Sequence, residues 1–193
     1  MQIIIRGEVT LMPPKARVTR DMIVDAGFAI ARERGIEQVN ARTVSEKLGC
    51  STQPVMYQFG RIEEMKQAIY RKADEYHTAF ITDAREGHPL LGIGLNYIRF
   101  AKEEKYLFRL LFQTNGFSGK SVAELINAPE LEPVIAAMGG ERSREVLKLL
   151  FLFTHGYASM FANNDLNYDE AAVAADLRRV FAGLSAMMKE EEP

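Results

Sequence analysis

The chain has 193 residues, 47% hydrophobic and 26% charged, with 24 Lys and Arg against 26 Asp and Glu for a net charge of −2. This composition fits one large globular domain or two modest ones and excludes disordered and collagen-like chains; the near-neutral total, taken alone, argues against a polyanion-coating protein. The single cysteine, Cys50, excludes an internal disulfide and a multi-cysteine metal site, so the cytoplasm is the expected compartment. No run approaches the roughly 18 apolar residues of a membrane span, so no membrane partner is expected. Residues 1–12 lack the pattern of a secretion signal and read as an extension, disordered or loosely docked, ahead of the Pro-rich basic stretch that opens at Met12.

In chain order, the spacing predicts helices almost everywhere. Thr19 is a plausible N-cap, and Met22, Ile23, Ala26, Ala29 and Ile30 recur at helical spacing until Gly35. Asn40 caps a second short helix over residues 41–48 with Val44 and Leu48 inward, Gly49 supplies a left-handed turn, and Ser51 is expected to cap a third helix. Val44, Leu48, Cys50, Val55 and Phe59 are assigned to a small core, with Glu46 and Lys47 facing solvent. A fourth helix runs from about Ile62 to Phe80 and ends before Gly87-His88-Pro89. Further helices are expected near 90–114, 121–138 with a break at Pro129, 141–163 and 168–189, with capping-box starts at Ser121 and Asn167 and a turn at Gly139-Gly140. The fold class is therefore all-α: an extension (1–12), a helical unit over 13–80 and a helical body over 81–193.

The charge divides along the chain. Residues 13–72 hold eleven Lys and Arg against seven Asp and Glu, or +4, whereas residues 73–193 hold twelve against eighteen, or −6. A small basic unit with a helix, glycine turn and helix at Arg42 to Phe59 is what major-groove reading requires, one helix entering the groove and the other bracing it. Any three-helix unit shares this outline, so spacing alone leaves DNA binding open.

Arg20, Ile23, Ala26 and Gly35, then Asn40-Ala41-Arg42-Thr43-Val44, Leu48-Gly49-Cys50-Ser51, and Phe59 with Met65 six residues on, resemble the tetracycline-repressor (TetR) type of bacterial transcriptional regulators over residues 13–80. The stretches from Phe100 to Phe112 and from Thr154 to Met160 are similar to a ligand-domain subtype of the same family. The sequence departs from the family at three contact positions: Met56 stands where a tyrosine is usual, with Tyr57 next to it; Gln58 stands for a histidine; and Ile62 stands for a lysine, with Arg61 one residue earlier. By position in the helix-turn-helix, Ser51, Thr52, Gln53 and Pro54 begin the reading helix. Gln53 is expected to pair with adenine, and Pro54 and the Thr52 methyl to meet thymine methyls. Arg42, Thr43, Tyr57, Gln58, Arg61 and Lys66 are the expected further DNA contacts, mainly to phosphate, with Lys15, Arg17 and Arg20 as a mobile arm.

The resemblance implies that the second half is an effector-binding and dimerisation domain. Tyr97, Phe100, Phe112 and His155 are the expected ligand contacts, and the sparse charge in these segments points to a small apolar or aromatic effector. Phe153, Tyr157, Leu177, Phe181 and Leu184 are the expected homodimer contacts; on spacing alone the last helix's stripe of Val173, Leu177, Phe181, Leu184 and Met188 fits an internal core equally well.

Enzyme readings fail on spacing. Gly119-Lys120-Ser121 lacks the earlier glycine of a phosphate loop, Gly92 and Gly94 lack a third glycine and a preceding strand, and His77, His88 and His155 are scattered without a metal-binding pattern. No catalytic residue, metal or cofactor is expected. The sequence reads as a DNA-binding regulator, a repressor released by an effector from an inverted-repeat, double-stranded operator. The alternative is a helical small-molecule-binding or interaction protein without specific DNA readout.

Overall fold

The computed structural model describes residues 18–83, 89–113, 124, 126–127, 129–137, 141–164 and 166–190, and every regular element among them is helical. The expectations placed on residues 1–12, Lys15, Arg17, Gly119 to Ala123 and Gly139-Gly140 lie outside the described residues. The elements are α1 (Arg20–Arg34), a short 3-10 turn (Ile36–Gln38), α2 (Ala41–Leu48), α3 (Thr52–Gln58), α4 (Ile62–Thr82), α5 (Pro89–Glu103), α6 (Lys105–Phe112), a second 3-10 turn (Pro129–Leu131), α7 (Glu132–Ala137), α8 (Glu141–Asn163) and α9 (Glu170–Glu190).

Local chemistry sets the N-terminal boundaries. The Thr19 hydroxyl accepts the Met22 N–H at 3.2 Å and starts α1. Asn40 starts α2 through a capping box: its side chain accepts the N–H groups of Arg42 and Thr43, both at 3.0 Å, while the Thr43 hydroxyl accepts the Asn40 N–H at 3.1 Å. Gly49 ends α2 at φ 65°, a left-handed conformation that glycine adopts without a Cβ clash, so the chain turns at once into α3. Ser51 occupies the N-cap position of α3, but its side chain makes no capping hydrogen bond, contrary to expectation. At α9 the cap is Asp169 rather than Asn167, with its carboxylate accepting the Ala172 N–H at 3.1 Å.

The segment expected to be one helix near 90–114 is two. Glu104 breaks it at φ −119° and ψ 44°, yet the flanking main-chain bonds persist: Glu104 N–H donates to Phe100 O at 2.8 Å, and Phe108 N–H to Glu104 O at 2.9 Å.

One core joins the N-terminal unit, the head, to the body. Ile23, Val44, Val55, Phe59, Met65 and Ile69 are continuous with Tyr97, Phe100, Leu107, Phe108, Leu110 and Leu111. Helix α4 serves both parts, packing on α1 through residues such as Ile69 and Tyr76 and on α5 through Tyr76, His77 and Phe80. A second cluster, including Leu90, Ile98, Leu150, Phe161, Val173 and Leu177, fills the space among α5, α8 and α9, and Phe151 packs against both clusters. Gly94 permits the close approach of α5 to α8 and α9: a Cβ there would fall 3.0 Å from Leu177 Cδ2 and 3.2 Å from Thr154 Cγ2. Leu48 and Cys50, expected in the head core, lie half-buried at its edge.

Candidate nucleic-acid interface and internal pocket

Helix α3 turns Val55 inward, with Phe59 just beyond its end, 1% and 2% exposed, and turns Thr52, Gln53, Met56 and Tyr57 outward. The outward four are spaced three and four apart and therefore share one face. Pro54 and Gln58 are half-buried on its flanks. Gln58 is used within the fold: its amide donates to Val18 O at 3.2 Å, and its main-chain carbonyl accepts from Arg20 Nη1 at 3.0 Å.

Two other expected contacts also have structural tasks. Arg20 is the first residue of α1, and its guanidinium lies 3.9 Å from the centre of the Phe59 ring as well as bonding to Gln58 O. It ties the end of α3 to α1 and is no mobile arm. Thr43 donates its hydroxyl to Gln38 O at 2.8 Å within the capping box, and its N–H is taken by Asn40. Of the other expected contacts, Arg42 is exposed and paired with Glu46 one turn along α2 at 2.8 Å, Ser51 is exposed at the N-cap of α3, Arg61 is exposed at the start of α4, and Lys66 is half-buried one turn further on. Exposed pairs such as Arg42 with Glu46 contribute little, so the guanidinium can exchange its partner for a phosphate.

The body holds a cavity of about 90 Å³ bounded by His77 and Ile81 of α4, Ile93, Gly94 and Tyr97 of α5, Phe112 of α6, and Leu147, Leu150, Phe151 and Thr154 of α8. Among the described residues, none that lines it carries a carboxylate, ammonium or guanidinium group. Of the four expected ligand contacts, Tyr97 and Phe112 line this cavity. Phe100 does not: it is fully buried behind the wall, edge-on to His77 at 4.8 Å and to Phe80 at 5.3 Å. His155 also lies outside the lining and supports it, its Nδ1 hydrogen-bonded to the Tyr97 hydroxyl at 2.8 Å. Burial lowers the His155 pKa below its ordinary 6.5 and raises that of Tyr97, which favours the neutral form of both. His77, Thr154 and the aliphatic lining were missed by sequence reasoning. The only signal for His77 was its four-residue spacing from Ala73 and Ile81 on one helical face.

A larger open cleft of about 560 Å³ lies between α1, α6 and the end of α8 and is lined by Arg32, Lys102, Lys105 and Arg109 with Glu103. Two of these cations hold main-chain carbonyls, Arg109 that of Ala162 at 2.5 Å and Lys102 that of Leu166 at 2.9 Å, as cations do at helix C-termini.

Among the expected dimer residues, Leu177 is fully buried by its own chain and is unavailable to a second copy. Phe153, Tyr157, Phe181 and Leu184 are half-buried. Tyr157 donates to Asp176 at 2.5 Å, which ties α8 to α9. Beside them α8 exposes Leu149, Leu152 and Met160, 39%, 49% and 54% accessible.

Among the described residues no group of His, Cys, Asp and Glu could hold a metal ion, and no helix is long and apolar enough to cross a membrane.

A helix-turn-helix head on an all-helical body, joined through a shared α4, is the fold of the TetR-type transcriptional regulators. The chain matches a TetR-family transcriptional regulator from Streptomyces coelicolor over 91% of its own length and 83% of that chain, with TM-score 0.66 and 16% identity. It also matches the multidrug binding protein EbrR, in complex with ethidium, over 87% of its own length and 99% of that chain, with TM-score 0.58 and 20% identity. At these identities the likeness is one of fold. No protein-family model and no curated protein matches the sequence.

Proposed function

We propose that the protein is a cytoplasmic, sequence-specific DNA-binding transcriptional regulator, a homodimeric repressor released from an inverted-repeat operator by a small apolar or aromatic effector. The observation that carries this reading is the outward face of α3: four exposed side chains held by buried Val55 and Phe59, in a stretch, residues 13–72, that carries +4 and includes Arg42 on α2 and Arg61 and Lys66 at the start of α4. The likeness of fold supports it.

Homodimerisation is supported by the apolar stripe of Leu149, Leu152, Phe153 and Met160 on α8. Gly156 within that stripe and Gly183 on α9 each have open space where a Cβ would stand, which lets a second copy's helices come close. A two-fold arrangement sets the two α3 helices about 34 Å apart, one turn of DNA.

The effector site is the α4–α5–α6–α8 cavity. At about 90 Å³ it is well below the roughly 300–1,000 Å³ of sites for drug-sized ligands, so such an effector must push its walls apart. Glu104 joins the two wall helices α5 and α6 and bonds to Arg32 of α1, so movement of the wall is felt by the head. Linkage is reciprocal, and operator must weaken effector binding by the factor by which effector weakens operator binding.

The test is selection of binding sites from random double-stranded DNA by the full-length protein, followed by mobility shift across salt concentrations. The expected result is an inverted repeat bound with steep loss of affinity as salt rises. Failure to enrich any sequence would reject the regulator and favour a helical ligand-binding protein without DNA readout.

A further inference from the structure

We infer that Met56 is a specificity residue that packs against the C5 methyl of a thymine in each operator half-site, near the adenine addressed by Gln53. The inference rests on the proposed DNA-binding reading and deepens it, from DNA in general to a half-site whose centre is A·T.

The outward face of α3 consists of Thr52, Gln53, Met56 and Tyr57, and none carries a charge. Guanine in the major groove is selected above all by an Arg or Lys reaching O6 and N7. No such residue lies on α3: Arg20 is tied to Gln58 O and the Phe59 ring, Arg42 lies on α2 beside Glu46, and Arg61 lies beyond the end of α3 at the start of α4. The face instead offers one amide, suited to adenine N6 and N7, and an unusual amount of apolar surface. Met56 is 51% exposed, more than the 39% of Met22 on α1, in a head whose core is built from residues such as Ile23, Val44, Val55 and Phe59. The thymine methyl is the one apolar group on the floor of the major groove. Methionine, unbranched and polarisable, adapts its path to reach it. Met56 lies three residues after Gln53 on the same face, so the two side chains address neighbouring parts of one site. Tyr57, 81% exposed, is left to meet the backbone with its hydroxyl.

The test uses full-length protein and the sequence enriched from random DNA. Each thymine of that operator is replaced in turn by deoxyuridine, which keeps the pairing edge and removes only the methyl. For the wild-type protein one position per half-site is expected to lose about fourfold in affinity, the value of one buried carbon at about 0.8 kcal/mol. Replacing both half-sites multiplies the loss to about fifteenfold. Met56→Ala is expected to bind the thymine and uracil duplexes equally, Met56→Leu to keep the preference, and Gln53→Ala to keep it while losing discrimination at an A·T pair. Met56 is exposed, so these variants fold as the wild type does, which circular dichroism checks. A wild-type protein indifferent to every uracil, a Met56→Ala protein that keeps the fourfold ratio, or an enriched site with a G·C centre overturns the inference while leaving the regulator standing. Enrichment of no sequence overturns both.

Discussion

The guanidinium of Arg32 closes on both oxygens of the Glu104 carboxylate, 72 residues away in the chain, with Nε 2.7 Å from Oε2 and Nη2 bonded to Oε1. Tyr76 of α4 donates its hydroxyl to the same carboxylate at 3.0 Å, so a group only 5% exposed is held by α1 and α4 together. Removing the cation leaves a buried carboxylate without its counter-charge. Arg32→Ala is expected to cost about 2 to 3 kcal/mol, less than the roughly 3 to 5 of a fully enclosed pair because the guanidinium is half-exposed. Glu104→Gln is expected to cost about 1 kcal/mol, and the double variant less than the sum. Urea unfolding at pH 7 measures all three; strict additivity would show that the contact contributes nothing.

Arg20→Ala removes both the bond to Gln58 O and the guanidinium over Phe59. The expected loss is about 1 to 2 kcal/mol of stability. Affinity for DNA should fall by a similar factor for every sequence, because α3 is loosened as a whole. Arg20→Lys should recover only part of this, since an ammonium lacks the planar stacking surface. A competition assay across operator variants checks it: a change of preference among them would place Arg20 against the bases.

Leu152→Glu puts a charge on the exposed stripe of α8 and is expected to yield monomers by light scattering with unchanged helicity. Leu177→Ala, by contrast, opens a cavity within the chain, so it should lower stability by about 2 to 5 kcal/mol with no selective effect on association. The opposite pattern would move the interface to the other side of α9.

Burial keeps His155 neutral in the folded state, with its pKa below 6.5. The unfolded chain therefore binds a proton there more readily. His155 imposes no penalty above about pH 6.5, and the penalty grows as the pH falls below that value and levels off once the folded group is also protonated. Thermal unfolding of the wild type should drop between pH 7.5 and 5.5 by more than that of His155→Gln. Equal slopes would exclude the assignment.

The head was legible because its boundaries are written in local chemistry: Thr19, Asn40, Gly35 and Gly49 stop and start helices by what their own atoms do. Ser51 differs, since nothing in its sequence shows that its hydroxyl is left unused by the helix behind it. The break at Glu104 was invisible for another reason. The sequence Ala101 to Phe112 contains no Gly or Pro and favours an uninterrupted helix, and only the distant Arg32 and Tyr76 hold the carboxylate at the break. The pocket followed the same rule. Tyr97 and Phe112 share a composition and spacing with Phe100, and their difference lies in which side of the wall each one faces. Gln58 and Thr43 occupy positions expected to meet DNA, yet their hydrogen bonds point into the fold. In the sequence Met56 is only a departure from the family pattern, because its exposure is a property of the packed head.

The continuous core that runs from Val44 and Phe59 through Met65 and Ile69 to Phe100 and Leu107 has a consequence for how the molecule comes apart. Head and body share buried side chains, so the chain should melt in a single cooperative transition rather than shed its head first. A fragment ending near residue 80 would leave the inner side of α4 bare to water. The outward face of α3 is thus a surface of the whole protein, and its stability is borrowed from the helices of the body.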